Sequence, residues 1–357
     1  MAQSRPARAP ALVASVSSTS FIEPVKRLLL IFVVFLGAAA LFASDVRRVL
    51  DAPMNLGANT TLTITPGQTL SAVLETLQER QWLVSPQRNT LYLRTYARMT
   101  GLGTRIKAGE YPLSPGMTAL QALQLFESGK TVSYQLRLLE GWTFRQALSA
   151  IREHPNIQQT LGDAAEAAIL QQLGVEVGSL EGRLFPDTYH FPSGTTDIAV
   201  IRRAYDTMTT ALQQAWDQRA SDLPYASADE ALIMASIVEK ETGDASERAQ
   251  IAGVFVRRLQ LGMRLQTDPT VIYGLGSAFD GNLRKRDLLA DTPYNTYTRN
   301  GLPPTPICLP GRAALYAALH PAEGKALFFV ARGDGTHAFS DTLDQHEAAV
   351  RRYQLKK

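Results

Sequence analysis

Glu239 and Glu241 are the residues whose type and setting could do chemistry in this chain. Both close an apolar run, Ala231–Val238, which is followed by Lys240, Thr242 and Gly243. At helical pitch, residues two apart point to roughly opposite sides, about 200° around the axis, so the two glutamates are expected to do different jobs. A carboxylate at the C-terminal end of a buried helix meets the negative end of the macrodipole and loses hydration. Both effects favour the protonated form, and a glutamate so placed can act as a general acid near neutrality. A plainer reading stays open at this point, in which the two glutamates are only the solvated end of a core helix.

The element that must position them is the helix itself. Ala231, Leu232, Ile233, Met234, Ala235, Ile237 and Val238 cover nearly its whole circumference. A helix apolar all round is a buried one. Gly243 reads as its stop. Around it the pattern predicts helices at 163–173, 197–219, 228–242, 311–319 and from Leu343 onward. A further helix, capped by Asp244 and Ser246, runs to Gln260, and a strand covers 326–330. Arg248, Arg257 and Arg258 read as a solvated face. Loops at 180–191, 292–297 and 301–307 are rich in proline, aromatic and polar residues. Such pre-set loops suit a polar cleft.

Earlier in the chain a motif recurs. Gly67-Gln68-Thr69, Gly116-Met117-Thr118 and Gly141-Trp142-Thr143 each follow a strand-like stretch and precede an amphipathic one. Glycine makes the turn and threonine caps the helix. These strand-turn-helix units resemble LysM-like modules, folds often used to hold glycan chains.

Composition sets the frame. The 357 residues are 45% hydrophobic and 19% charged with a formal net charge of +3, enough for two or three domains. No Lys/Arg block suggests nucleic-acid binding. The single cysteine, Cys308, rules out an intrachain disulfide and a zinc-thiolate cluster. None of His154, His190, His320, His337 and His346 forms a metal-ligand motif, and serine-nucleophile, dinucleotide and Walker signatures are missing. No metal or cofactor is expected. What remains is carboxylate acid–base work on a hydroxyl-rich substrate, with glycosidic cleavage the natural candidate.

Residues 28–44 form a charge-free apolar run, close to the ~20 residues that span a bilayer. Lys26 and Arg27 precede it, and the positive-inside rule puts residues 1–27 in the cytoplasm. The small residues at Phe42-Ala43-Ser44 admit a cleaved signal peptide, but the long leading segment favours an uncleaved anchor.

Ala235–Thr242, Arg264–Gly274, Tyr294–Tyr297 and Gly301–Pro304 together resemble the endolytic murein transglycosylases of the YceG-like family. The resemblance implies an α+β protein: a cytoplasmic tail (1–27), a single transmembrane helix (28–44), a LysM-like domain (45–133) and a mixed α/β catalytic domain (134–357). It implies a single-pass protein of the inner membrane with a periplasmic catalytic domain. The expected substrate is the peptidoglycan glycan strand, cut without water between N-acetylmuramic acid and N-acetylglucosamine to leave 1,6-anhydro ends and so terminate elongation. Wall-synthesis proteins such as penicillin-binding proteins are the expected partners, and nucleic acid is not. The family's catalytic glutamate falls on Glu241. Glu181, Gln266, Asp268, Tyr294 and Asn295 are assigned to substrate binding, and Glu239 to structure. Thr305, Leu309 and Glu347 depart from the family pattern. A non-catalytic wall-binding scaffold and a water-using hydrolase are the rival functions.

Overall fold

The computed structural model describes residues 22–355. Of the expected cytoplasmic tail, residues 1–21 lie outside these, and residues 22–27 already belong to the first helix. The chain is mixed α/β and divides into two compact units, one ending at Val132 and the other beginning at Ser133.

Helix α1 (Ile22–Leu50) runs six residues past the expected apolar segment. Its stretch Val25–Leu50 is long and apolar enough to cross a membrane. Its last turn packs Leu50 with the first unit's core, and Asp45 there takes Arg48, Arg88 and the Tyr92 hydroxyl. The unit continues as β1 (Thr60–Ile64), α2 (Leu70–Glu79), α3 (Pro86–Thr100), β2 (Gly109–Leu113) and α4 (Ala119–Ser128). β1 and β2 pair antiparallel with Leu62 opposite Tyr111. Strand alternation sends Leu62, Ile64, Tyr111 and Leu113 onto Val73, Leu74, Leu77 and Phe126. The recurring glycines are real turn makers: Gly67, Gly116 and Gly141 all hold left-handed φ, from 75° to 86°. The threonines that follow them cap α2, α4 and α5 (Phe144–Glu153), the last two in full capping boxes with Gln121 and Gln146.

The second unit opens with β3 (Ser133–Arg137) and α5, then α6 (Glu166–Leu173), β4 (Thr188–Pro192) and α7 (Asp197–Asp217). Next come α8 (Ala228–Glu241), α9 (Arg248–Gln260), α10 (Asp268–Leu275) and α11 (Lys285–Leu289). The unit ends with α12 (Arg312–Leu319), β5 (Phe328–Ala331), β6 (His337–Ser340) and α13 (Leu343–Tyr353). β3–β4 and β5–β6 are antiparallel pairs. Helix α8 is the axis, packed against α7, α9, α10 and α12. Every residue from Ala231 to Val238 is buried. The one polar member, Ser236, is satisfied: its hydroxyl donates to Ile233 O and accepts from Ile307 N. That second bond ties the 301–307 loop to the helix.

Two expectations need correcting. α8 ends on an extended Thr242 rather than a left-handed glycine, because the Thr242 hydroxyl takes the Asp244 N–H and turns the chain. Arg248, Arg257 and Arg258 are not a solvated face. Arg258 is buried, with Nε on Leu327 O and Nη1 on Leu265 O. Arg257 donates to Ala322 O and Ala326 O, and Arg248 pairs with Glu239. The guanidiniums fasten the β5 approach and the α8 terminus to α9.

Gly182, before α7, gives a testable point. Its φ is +74°, and an added Cβ would lie 2.4 Å from Pro306 Cβ and 3.1 Å from Cys308 O. Gly182→Ala is expected to destabilise the second unit by roughly 2–4 kcal/mol, combining left-handed strain with overpacking, as read by urea unfolding.

Candidate active site

Glu241 is the last residue of α8, where the helix delivers it to the wall of a cavity of about 470 Å³. Gln266, Thr267 and Asp268 form the wall beside it, with Tyr297, Phe328 and His337 among the other lining residues. The Thr267 hydroxyl donates to Glu241 Oε1. Burial pushes the Glu241 carboxyl up to about 7; the Thr267 bond opposes this, the Asp268 charge adds to it and His337 draws it back. The side chain is therefore about half protonated near neutrality and has one oxygen left for a ligand.

The 266–268 wall is held from behind. Gln266 N–H donates to Thr296 O, Thr267 N–H to Thr296 Oγ1, and the Thr270 and Thr296 hydroxyls meet at 2.9 Å. Gln266 pays for this path with a left-handed φ of 53°, a conformation that non-glycine residues adopt only where neighbours impose it. Asp268 Oδ1 accepts the Tyr297 hydroxyl at 2.5 Å. Asp268 also opens α10.

Three of the six residues assigned from sequence thus meet here: Glu241, Gln266 and Asp268. The other three do not line the cavity. Asn295 is fully buried, and its Nδ2 is spent on the carbonyls of Asp287, Leu288 and Ala290. Its Oδ1 accepts Tyr297 N–H, so it shapes the loop that carries Tyr297. Tyr294 exchanges a hydrogen bond with Thr305 and stacks edge-on against Tyr273. Glu181 is buried with Oε1 on Phe144 N–H and Oε2 on the Tyr273 hydroxyl. Burial pushes it to about 7 against those bonds, and it ties the start of α5 to α10.

Glu239 faces away from this site, as two-residue spacing requires: it accepts Gly311 N–H and pairs with Arg248. Of the family departures, Thr305 supplies the hydroxyl that Tyr294 uses, and Leu309 is buried with its backbone bonded to Trp142 and Gly141. Glu347 forms a surface pair with Arg351.

Sequence reading missed Tyr297, Arg258 and His337. Tyr297 lay inside a recognised run, whereas Arg258 had been given to solvent. His337 had no local signal, because its partner Glu247 lies ninety positions away.

A two-unit α/β chain with a carboxyl pushed up to about 7 in a polar, aromatic-walled cavity has the layout of an acid–base enzyme. The chain belongs to the YceG-like family, whose model matches residues 62–352. An endolytic murein transglycosylase of Bacillus subtilis (strain 168) is 32% identical over 339 residues, covering 90% of this chain and 92% of the relative. One of Streptococcus pneumoniae serotype 2 is 28% identical over 362 residues, covering 90% of this chain but 63% of the relative. The crystal structure of a YceG-like protein from Listeria monocytogenes matches 82% of this chain and 99% of its own, with 31% identity and a TM-score of 0.51.

Proposed function

We propose that this chain is an endolytic murein transglycosylase that cuts peptidoglycan glycan strands between N-acetylmuramic acid and N-acetylglucosamine, with Glu241 as its acid–base group. The observation that carries the reading is the Glu241 carboxyl itself, part-buried on the cavity wall and pushed up to about 7. Membership of the YceG-like family and relatives named as such enzymes support it.

The chemistry needs one such group. The protonated carboxyl gives its proton to the bridging oxygen as the C1–O4 bond breaks, and positive charge develops at C1. The muramyl acetamide carbonyl can meet that charge from the other face of the ring. The 6-hydroxyl then closes onto C1, and the carboxylate recovers a proton from it. No water is consumed, and the product carries a 1,6-anhydro ring. Inverting and retaining hydrolases instead use a second carboxyl as base or nucleophile. Asp268 shares the cavity and accepts the Tyr297 hydroxyl through Oδ1, so it is the residue a hydrolase would have to use.

The setting follows from the rest of the chain. Helix α1 is the proposed anchor, in the inner membrane with the enzyme on the periplasmic side. The order β1-α2-α3-β2 around an antiparallel pair supports a LysM-like module for holding glycan. Termination of strands beside the wall synthases is the proposed role.

The rival is a scaffold that binds wall without cutting it. Full chain in detergent, mixed with purified glycan strands, is expected to shorten them internally, while Glu241→Gln binds and leaves them intact. Binding without shortening by the unaltered chain would establish the scaffold.

A further inference from the structure

The cavity holds a second acid–base pair that the mechanism above leaves unused. His337, on β6, lines the same cavity as Glu241. Glu247, at the start of α9, grips it twice: Oε1 accepts the His337 main-chain N–H at 2.8 Å, and Oε2 meets ring Nδ1 at 2.7 Å. Both side chains are nearly buried, at 12% and 11% exposure. A carboxylate can only accept, so Nδ1 carries the hydrogen, and a neutral ring held this way has Nε2 as its acceptor. Phe329 stands edge-on to the ring at 5.4 Å and limits its rotation. A histidine held in one tautomer by a buried carboxylate, with its other nitrogen left for a ligand, is the arrangement of a general base.

Glu241 gives such a base something to do. Thr267 occupies one of its oxygens, and the other must face the departing 4-hydroxyl that it has just protonated. A nearby acceptor relieves it of meeting the 6-hydroxyl at the same moment. We propose that His337, oriented by Glu247, is this second proton-handling group: Nε2 takes the proton of the muramyl 6-hydroxyl as O6 attacks C1, then passes it to the Glu241 carboxylate. The inference rests on the transglycosylase reading above. The step balances. C1–O4 breaks and C1–O6 forms, the proton of Glu241 ends on O4, and the proton of O6 travels through Nε2 to Glu241. Glu247 is a positioning residue.

The charged neighbours suit a transient imidazolium. Glu241, Glu247 and Asp268 bring negative charge from the end of α8, the start of α9 and the start of α10. Arg258 opposes it from α9, burial and Arg258 hold His346 on α13 below the ordinary imidazole range, and Tyr297 donates to Asp268.

The test is kcat and KM for anhydro-end formation by the full chain in detergent on purified glycan strands. His337→Gln is expected to lower kcat by about a hundredfold and move KM little, while melting close to the unaltered protein. Glu247→Gln keeps an acceptor for the His337 N–H but puts an amide donor against Nδ1, which leaves the hydrogen on Nε2. It should reproduce the kcat loss, and it carries the test if His337→Gln fails to fold. Unaltered kcat in either folded variant would overturn the inference and leave the Glu241 mechanism standing. Absence of anhydro ends from the unaltered chain would overturn both.

Discussion

Glu241→Gln is expected to cut turnover by about a thousandfold, within the range seen for loss of a positioned acid–base group, while strand binding persists. The amide keeps the shape of the side chain and the Thr267 bond but has no proton to give. Asp268→Asn should cost far less, since Asp268 supports the wall through Tyr297. In the unaltered enzyme the rate should fall as pH rises through about 7, where Glu241 ionises. Stability gives an independent check with a definite sign. The folded state raises this carboxyl's pKa, so the favourable contribution of its proton is complete below the ordinary glutamate range and is lost as pH rises through about 7. Glutamine removes that dependence. Glu241→Gln should therefore be more stable than the unaltered chain above neutrality and nearly equal to it in acid, as measured by thermal melting at the two extremes.

The second large effect is at Arg258. Its Nε and Nη1 satisfy the carbonyls of Leu327, Leu265 and Arg264 at 2.7, 2.8 and 3.2 Å, and its plane lies over Phe328. Removing it leaves buried carbonyls unpaired, each costing about 1–3 kcal/mol, and frees the approach to β5 from α9. Arg258→Ala is expected to destabilise the second unit by roughly 3–5 kcal/mol, in line with other losses of a buried network. For a unit of this size the thermal midpoint drops on the order of 10 °C. Lysine should recover little, because an ammonium cannot reach the three carbonyls as a planar fork does. Activity should fall with stability, since Phe328, Leu265 and Gln266 all line the cavity. A variant that melts with the unaltered chain would show that the guanidinium network contributes little.

Much of this architecture was readable from the chain. Helix α8 announced its burial because its apolar residues leave no polar face, and the Gly-x-Thr repeats marked three helix starts through turn and cap chemistry. Glu241 came within reach from its place at the end of α8, whereas Gln266 and Asp268 rested on the resemblance carried by the Arg264–Gly274 run. Arg258 was readable but misread. Ile251, Phe255 and Arg258 share one stripe of α9, so its position on the apolar face was present in the period, and its charge suggested solvent. Asn295 shows the reverse error: a polar residue in a polar loop was assigned to substrate, whereas buried asparagines commonly hold turns together. The Glu247–His337 pair had no local signature at all. It exists only because β6 folds back against the start of α9, a contact set by tertiary packing.

The most direct measurement is the mass of the new strand ends after digestion in heavy-oxygen water by the full chain in detergent. Internal transfer to the 6-hydroxyl should give muramyl ends lighter than hydrolysis products by one water and free of the heavy label, with none formed by Glu241→Gln. Labelled reducing ends would contradict that account: water, not the sugar's own hydroxyl, would then be the nucleophile, and Asp268 would be the first residue to test as its base.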